Sequence, residues 1–187
     1  MDLPSIRRKL HQLAETAGEE QKTAAYVEKV LEDIGIHAIE RGLGGTGLIG
    51  WLDSGNPGPV VLFRAELDAL PIEEKNSLEY ASQTNGVAHK CGHDGHMAVL
   101  LGFANRVARQ TLKKGKAGFL FQPAEETGEG AAHMLEDKAF PSLKPDHVFA
   151  FHNLPGYPKG HILTTNGVFC AGSKGLIVRL SGSTSHA

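Results

Sequence analysis

The sequence predicts an α/β fold, in which helices cover the faces of a β-sheet. Short apolar runs, each long enough for one buried strand, alternate along the chain with segments of helical periodicity. Turns rich in glycine and proline separate these segments. Strands and helices that alternate in this way are typical of a sheet with helices packed on it.

The chain begins with two predicted helices. Residues 2–16 carry apolar residues at helical spacing, and residues 20–34 continue the pattern with Ala24, Val27, Val30, Leu31 and Ile34 facing inward. Gly35 is predicted to end the second helix, because glycine adopts the left-handed conformation that closes many helices.

Strands and helices alternate in the remainder of the chain. A helix is predicted over residues 94–109, with Asp94 as its N-cap, and another over residues 130–137. A long irregular segment over residues 66–89 suggests a functional loop. The predicted strands cover residues 37–41, 47–52, 60–64, 117–121, 148–151 and 175–181.

Composition and charge exclude several classes of function. The formal net charge of −2 gives no basis for a nucleic-acid partner. The N-terminus has no signal-peptide pattern, and no apolar stretch approaches the roughly 18 residues that a membrane span needs. Two cysteines are too few for a disulfide framework. We therefore expect a globular cytoplasmic protein with free thiols and no membrane partner.

The segment HKCGHDGH, residues 89–96, concentrates candidate metal ligands. One glycine separates Cys91 from His93, so a sharp turn can bring both side chains together. Thiolate and imidazole suit zinc or another first-row metal and do not suit calcium or magnesium. A loop whose polar groups simply satisfy one another is the alternative, but the density of ligand types favours a metal site.

Further candidates follow predicted strands, where sites in α/β sheets are built. Glu125 and Glu126 come after the strand over residues 117–121, and adjacent side chains are predicted to point in different directions. One glutamate can then bind metal while the other acts as a general base, although an acidic surface turn is the alternative. His152 follows the next strand as a ligand candidate.

Three further acidic residues are predicted to orient the ligands. Glu66 and Asp68 leave the end of the strand over residues 60–64, and Asp94 lies within the histidine-rich segment.

Five ordered motifs resemble one family. RAELDALPIEE, HKCGHDGHM, FQPAEETGEGA, HNLPGYPKG and GSTSHA are similar in order and spacing to motifs of the dinuclear metallo-amidohydrolases and peptidases that include aminoacylase, hippurate hydrolase and the indoleacetyl-amino-acid hydrolases. CGHDGH together with PAEE points to the amidohydrolase branch. One departure is Glu66, where the family usually has aspartate.

The resemblance implies a fold, a cofactor and residue roles. The fold is a mixed, largely parallel sheet with helices on both faces, as in zinc exopeptidases, followed by the first strand of a small α+β lid domain. The boundary is expected after residue 172, with an incomplete lid and dimerisation domain over residues 173–187. Two divalent ions are implied, zinc first, with manganese, cobalt or nickel as alternatives. Cys91, His93, Glu126 and His152 are the implied ligands, Glu125 the general base, and His186 the group that stabilises the oxyanion.

The implied activity is hydrolysis of the amide bond of N-acyl amino acids by a metal-activated water, in a full-length form expected to be a homodimer. Family members are about twice as long, so the sequence also suggests a truncated chain. A catalytically incomplete fragment, or a metal-binding or partner-binding remnant, is therefore one alternative. A dipeptidase or carboxypeptidase of the same broad family is another, although Cys91 argues against it because peptidases place a carboxylate there.

Overall fold

The computed structural model describes residues 1–138, 140–172 and 175–183. The chain divides into two units, residues 1–153 and residues 154–187. Every helix and strand found in the described residues lies in the first unit. None of these helices is both long and apolar enough to cross a membrane.

The first unit is built on a five-stranded sheet. Its strands are β1 (Ala38–Leu43), β2 (Gly47–Asp53), β3 (Val60–Glu66), β4 (Lys116–Gln122) and β5 (His147–Ala150), in the spatial order β1-β2-β4-β3-β5. The β1–β2 and β2–β4 pairs are antiparallel, whereas β4–β3 and β3–β5 are parallel. The predicted mixed α/β sheet is confirmed.

Helices cover both faces of this sheet. They are α1 (Leu3–Leu13), α2 (Gln21–Asp33), α3 (His93–Ala108), α4 (Gly130–Glu136) and the single turn α5 (Phe140–Leu143). Alternate residues of a strand point to opposite faces, so Phe119 and Phe121 of β4 pack with α1, α2 and α3, while Leu120 packs with α4 and α5.

The helix ends show where local chemistry agrees with the sequence and where it does not. Gly35 has a φ of +89° directly after α2, as predicted. The prediction of Asp94 as an N-cap is wrong, because Gly92, with a φ of 111°, takes the cap position and the helix starts at His93. Asp94 therefore lies in the first turn, and its carboxylate binds α1.

The predicted strand over residues 175–181 is not found. These residues adopt no regular secondary structure, and Leu176, Val178 and Leu180 are exposed. A strand satisfies its backbone N–H and C=O groups only against a second strand. The described part of residues 154–187 contains no such partner. The boundary after residue 172 stays a prediction.

Parallel pairing gathers three strand ends at one edge of the sheet. Strands β3, β4 and β5 run in the same direction and end at Glu66, Gln122 and Ala150. The segments that follow them carry Asp68, the glutamate pair and His152. In open α/β sheets, sites form at the carboxyl ends of strands.

Candidate metal centre

His93, the first residue of α3, lies at the centre of this edge. Its Nδ1–H donates to the backbone carbonyl of Asp68 at 2.8 Å. This bond fixes the tautomer and leaves Nε2 with a free lone pair. Nε2 is buried and has no hydrogen-bond partner among the described residues. A buried imidazole nitrogen of this kind is poised to bind a cation.

Cys91 and His152 meet on one side of His93. The thiol sulfur lies 3.3 Å from His152 Nε2, and His152 Nδ1 donates to the carbonyl of Asn153 at 2.8 Å. One ligand atom from each of Cys91, His93 and His152 lies within 4.8 Å of the other two. Cys91 and His152, which are 61 residues apart in the sequence, therefore lie together beside His93.

Both members of the glutamate pair face His93. Glu125 Oε2 and Glu126 Oε1 each lie 3.7 Å from His93 Nε2. The prediction that the two side chains point in different directions is wrong. The chain makes a turn here, with Gly128 N donating to the Glu125 carbonyl at 2.8 Å. Successive side chains point to opposite sides only in an extended strand, and the chain is no longer extended at this turn.

The Asp68 carboxylate contacts both the glutamate turn and His93. Its Oδ2 accepts the Glu126 amide at 2.9 Å, and its Oδ1 lies 3.5 Å from His93 Nδ1. Burial alone would raise the pKa of Asp68, but the nearby His93 ring and hydrogen bonds from the Glu126 and Glu125 amides outweigh it and lower the pKa. Asp68 therefore contacts both a ligand candidate and the glutamate turn.

Glu66 lies beside this centre and pairs with His96. Glu66 Oε2 accepts from His96 Nδ1 at 2.8 Å, while Glu66 Oε1 accepts from Arg64 at 2.7 Å. Burial tends to raise the pKa of Glu66, but the His96 hydrogen bond and the Arg64 charge lower it overall. His96 Nε2 in turn lies 2.5 Å from the Asn153 side-chain oxygen. Together with His93, Glu66 and His96 form another group of closely spaced ligand atoms.

The centre is strongly acidic. Burial raises the pKa of the Cys91 thiol, and the neighbouring carboxylates of Glu126, Glu125 and Glu66 raise it further, to about 12. The contact between Cys91 and Glu126 brings a thiol and a carboxylate together beside His93. A positive charge close to the sulfur, such as a metal ion, would instead lower the pKa of the thiol.

A second polar cluster lies behind the HKCGHDGH segment. Asp94 Oδ2 accepts from Arg7 Nε and from His11 Nδ1, both at 2.9 Å, and His11 Nε2 lies 3.1 Å from Glu74 Oε2. Lys90 donates to Glu74 at 2.7 Å. Asp94 thus joins α3 to α1 and is not placed against the ligand candidates.

Charges within this cluster shift the pKa values of its members in different directions. The hydrogen bond to Asp94, together with Glu74, raises the pKa of His11 against the effect of burial. Burial favours a higher pKa for Glu74, yet hydrogen bonds from Lys90, Ser82 and His11 lower it to about 2. Burial lowers the pKa of His89 to about 4, and neither of its ring nitrogens has a partner in the described part of the chain.

The residues present fit a divalent metal. The donor set combines one sulfur, imidazole nitrogens and carboxylates, which zinc and other first-row ions accept. The unpartnered His93 Nε2 is buried and faces the carboxylates of Glu125 and Glu126. His186 lies outside the described residues.

Sequence reasoning missed two residues of this edge. Asn153 contacts His96, and its carbonyl fixes His152. Glu20 is fully buried and accepts the Ala124 amide at 2.9 Å, next to the glutamate pair. No signal in the sequence marks Glu20, because its partner is 104 residues away.

Sulfur, imidazole and carboxylate donors at the carboxyl edge of a mixed α/β sheet, with glutamates beside them, are the features of a metal-dependent hydrolase. The chain belongs to Peptidase family M20/M25/M40, whose sequence model matches residues 62–168.

Curated relatives and solved structures are similar to this chain. It is 40% identical over 186 residues to the N-acetyl-L-cysteine deacetylase of Bacillus subtilis, covering 99% of this chain and 44% of the relative. It is 36% identical to the N-acetyldiaminopimelate deacetylase of Oceanobacillus iheyensis, covering 100% of this chain and 50% of the relative. The YXEP protein of B. subtilis, a dinuclear metal binding peptidase from the M20 family, superposes with a TM-score of 0.76 at 37% identity, over 83% of this chain and 43% of that one. The chain therefore spans about half the length of these relatives.

Proposed function

We propose that this chain carries the metal-binding part of an amidohydrolase that cleaves N-acyl amino acids. The observation that carries the proposal is the convergence of Glu125 and Glu126 on the unpartnered Nε2 of His93, in a ring that also shares a group of closely spaced ligand atoms with Cys91. The deacetylase names of its relatives support small N-acyl amino acids as the substrate class.

Cys91, His93, Glu126 and His152 are the proposed metal ligands. Glu126 raises the pKa of the Cys91 thiol more than Glu125 does, which supports Glu126, and not Glu125, as the carboxylate that shares the ion with sulfur. When bound, divalent ions of this kind acidify a water molecule and polarise a carbonyl. Two ions, with zinc as the first candidate and manganese, cobalt or nickel as alternatives, belong to the proposal.

Glu125 is the proposed general base. Its carboxylate is partly exposed and faces His93 at 3.7 Å, so it can reach both the centre and an incoming substrate. Its Oε2 takes the proton from the attacking water and passes it to the nitrogen of the leaving amino acid.

Glu66 and Asp68 orient the histidines and the glutamate turn through the hydrogen bonds described above. We propose that Asp94 acts at a greater distance, by holding the start of α3 against α1. His186 is proposed to stabilise the oxyanion.

The test combines metal analysis with a hydrolysis assay on acetyl-, benzoyl- and indoleacetyl-amino acids, with dipeptides as competing substrates. We expect Glu125→Gln to lower kcat by roughly 10²-fold to 10⁴-fold while metal content stays unchanged. Glu129→Gln is the matched control, because Glu129 is exposed in the same turn and its side chain makes no capping hydrogen bond. A chain that binds no metal, or that keeps full activity as Glu125→Gln, would refute the proposal.

A homodimeric active form and a cytoplasmic location are further parts of the proposal. Light scattering of the purified protein and fractionation of cells test them. A faster turnover of dipeptides than of N-acyl amino acids would instead favour a peptidase.

A further inference from the structure

The turn after β4 contains a strained residue. Ala124 has a φ of 48°, the left-handed region that a residue with a Cβ occupies at a cost of about 1–2 kcal/mol. Hydrogen bonds to both of its backbone polar groups hold it there. Its N–H donates to Glu20 Oε1 at 2.9 Å, and its carbonyl accepts from Gly130 N at 3.0 Å. The direction in which the chain leaves β4 is therefore set at Ala124.

Glu20 is itself fixed from two sides. Its side chain is fully buried, and its second oxygen accepts from Thr46 Oγ1 at 2.6 Å. It also stands directly before α2, and the positive end of a helix stabilises a carboxylate at that position. The acceptor that meets the Ala124 amide is thus part of the packed core.

The two amides that flank Glu125 in the sequence are held by two different buried carboxylates. Glu20 accepts from Ala124, on one side, and Asp68 accepts from Glu126, on the other, each at 2.9 Å. With both amides held, Glu125 and Glu126 face the same nitrogen of His93.

We propose that Glu20 is a positioning residue for the metal centre. By holding the Ala124 amide it maintains the turn that presents Glu125 and Glu126 to His93. The role in catalysis rests on the proposed function, whereas the role in shaping the turn does not. Glu20 acts through geometry, so a neutral side chain that hydrogen-bonds to the same two residues will replace it.

The chain offers a matched control at the same helix end. Glu15 is also buried, and its Oε2 accepts from Thr23 N at 2.8 Å and from Thr23 Oγ1 at 2.9 Å. It therefore makes the same kinds of hydrogen bond as Glu20, at the first turn of α2. Its own bonds do not involve the glutamate turn.

The experiment compares Glu20→Ala, Glu20→Gln and Glu15→Ala in the full chain. The first measurement is amide hydrogen exchange of residues 124–130 without metal, well below the melting temperature of each variant. We expect exchange to be about tenfold faster in Glu20→Ala, since the turn loses the hydrogen bond from the Ala124 amide, and unchanged in Glu15→Ala. Glu20→Gln should restore slow exchange, because its amide oxygen can accept from Ala124 and its NH₂ can donate to Thr46.

The second measurement is zinc affinity together with kcat and KM. We expect Glu20→Ala to weaken zinc binding by 10-fold to 100-fold, the usual effect of removing a residue that orients a ligand, and to lower kcat more than it raises KM. Glu20→Gln should restore the zinc affinity and kcat of the unchanged chain.

Equal exchange of the turn in Glu20→Ala and Glu15→Ala, or no recovery in Glu20→Gln, would overturn the positioning role. If the unchanged chain binds no zinc, the proposed function fails, while the exchange comparison still decides the role of Glu20. If Glu20→Ala does not fold, Thr46→Ala takes its place. That variant frees one Glu20 oxygen and should speed exchange by a smaller factor, and unchanged exchange would count against the proposal.

Discussion

His93 shows how one hydrogen bond prepares a side chain for metal. The bond from Nδ1–H to the Asp68 carbonyl leaves Nε2 as a bare acceptor that faces two carboxylates, and acceptors do not satisfy one another. A cation placed between them would be bound by all three acceptors. The same contact orients the ring, which is how ligand histidines are usually held.

His11 differs, because both of its ring nitrogens already face carboxylates. Asp94 and Glu74 raise its pKa, so the protonated ring stabilises the fold. This contribution is complete below the unfolded pKa of about 6.5 and is lost as pH rises through the higher folded pKa. Each unit by which the pKa is raised corresponds to about 1.4 kcal/mol.

We therefore predict that the free energy of unfolding of the unchanged chain falls more steeply above pH 6.5 than that of His11→Gln. Urea unfolding at several pH values from neutral to mildly alkaline measures the difference. Two other groups do not affect this comparison. His89 changes stability only below pH 6.5, since its folded pKa is about 4. The raised pKa of Cys91 contributes equally in the unchanged chain and in His11→Gln. Parallel pH profiles would show that His11 is not the group responsible.

Among the elements, α1 links the core to the site. Leu10 of α1 is fully buried in the cluster that contains Leu101 of α3. His11, the next residue, and Arg7, one turn earlier in the same helix, bind Asp94. Gly102 lets the two helices approach, because a Cβ there would collide with Leu3. Apolar packing and the polar cluster therefore hold the start of α3, where His93 lies.

We predict that Leu10→Ala lowers the free energy of unfolding by about 2–5 kcal/mol through lost burial and the cavity left behind. Leu135→Ala, at an exposed position of α4, is the control and should change it by less than about 0.5 kcal/mol. Chemical denaturation of the two variants gives both values. A loss in Leu10→Ala no larger than the control would mean that α1 is not part of the cooperative core.

At the scale of the whole molecule, metal binding and folding should be linked. The ligand candidates come from three segments of the first unit, following β4, following β5 and at the start of α3. These segments are close together only in the folded chain. A metal that binds them will therefore stabilise the folded state by mass action.

We predict that zinc at 100 times its dissociation constant raises the free energy of unfolding by about 2.7 kcal/mol, less whatever binding the unfolded cysteines and histidines retain. Thermal melts with zinc, magnesium and a chelator measure this effect. Magnesium should have no effect, because nitrogen and sulfur donors do not suit it. Cys91→Ser should weaken the zinc effect, whereas Cys170→Ser, at an exposed cysteine, should not. An equal shift in both variants would place the metal elsewhere.

Local sequence determined most of the fold. Helical spacing of apolar residues placed α1, α2 and α3 to within a few residues of their observed ends, and short apolar runs placed all five strands. The assignment failed where the outcome depends on distant parts of the chain. Residues 175–181 alternate like a strand, but no described partner pairs with them.

The sequence by itself determined which chemistry this protein can support, because the ligand types of HKCGHDGH and the glutamate pair are fixed by residue identity. Only the tertiary structure decided how they meet. Parallel pairing of β3, β4 and β5 brings three strand ends to one edge, and the turn at Ala124 directs both glutamates to His93. The role of Glu20 is likewise visible only in the tertiary structure. Its partner is 104 residues away, and local patterns record only what neighbours along the chain can do.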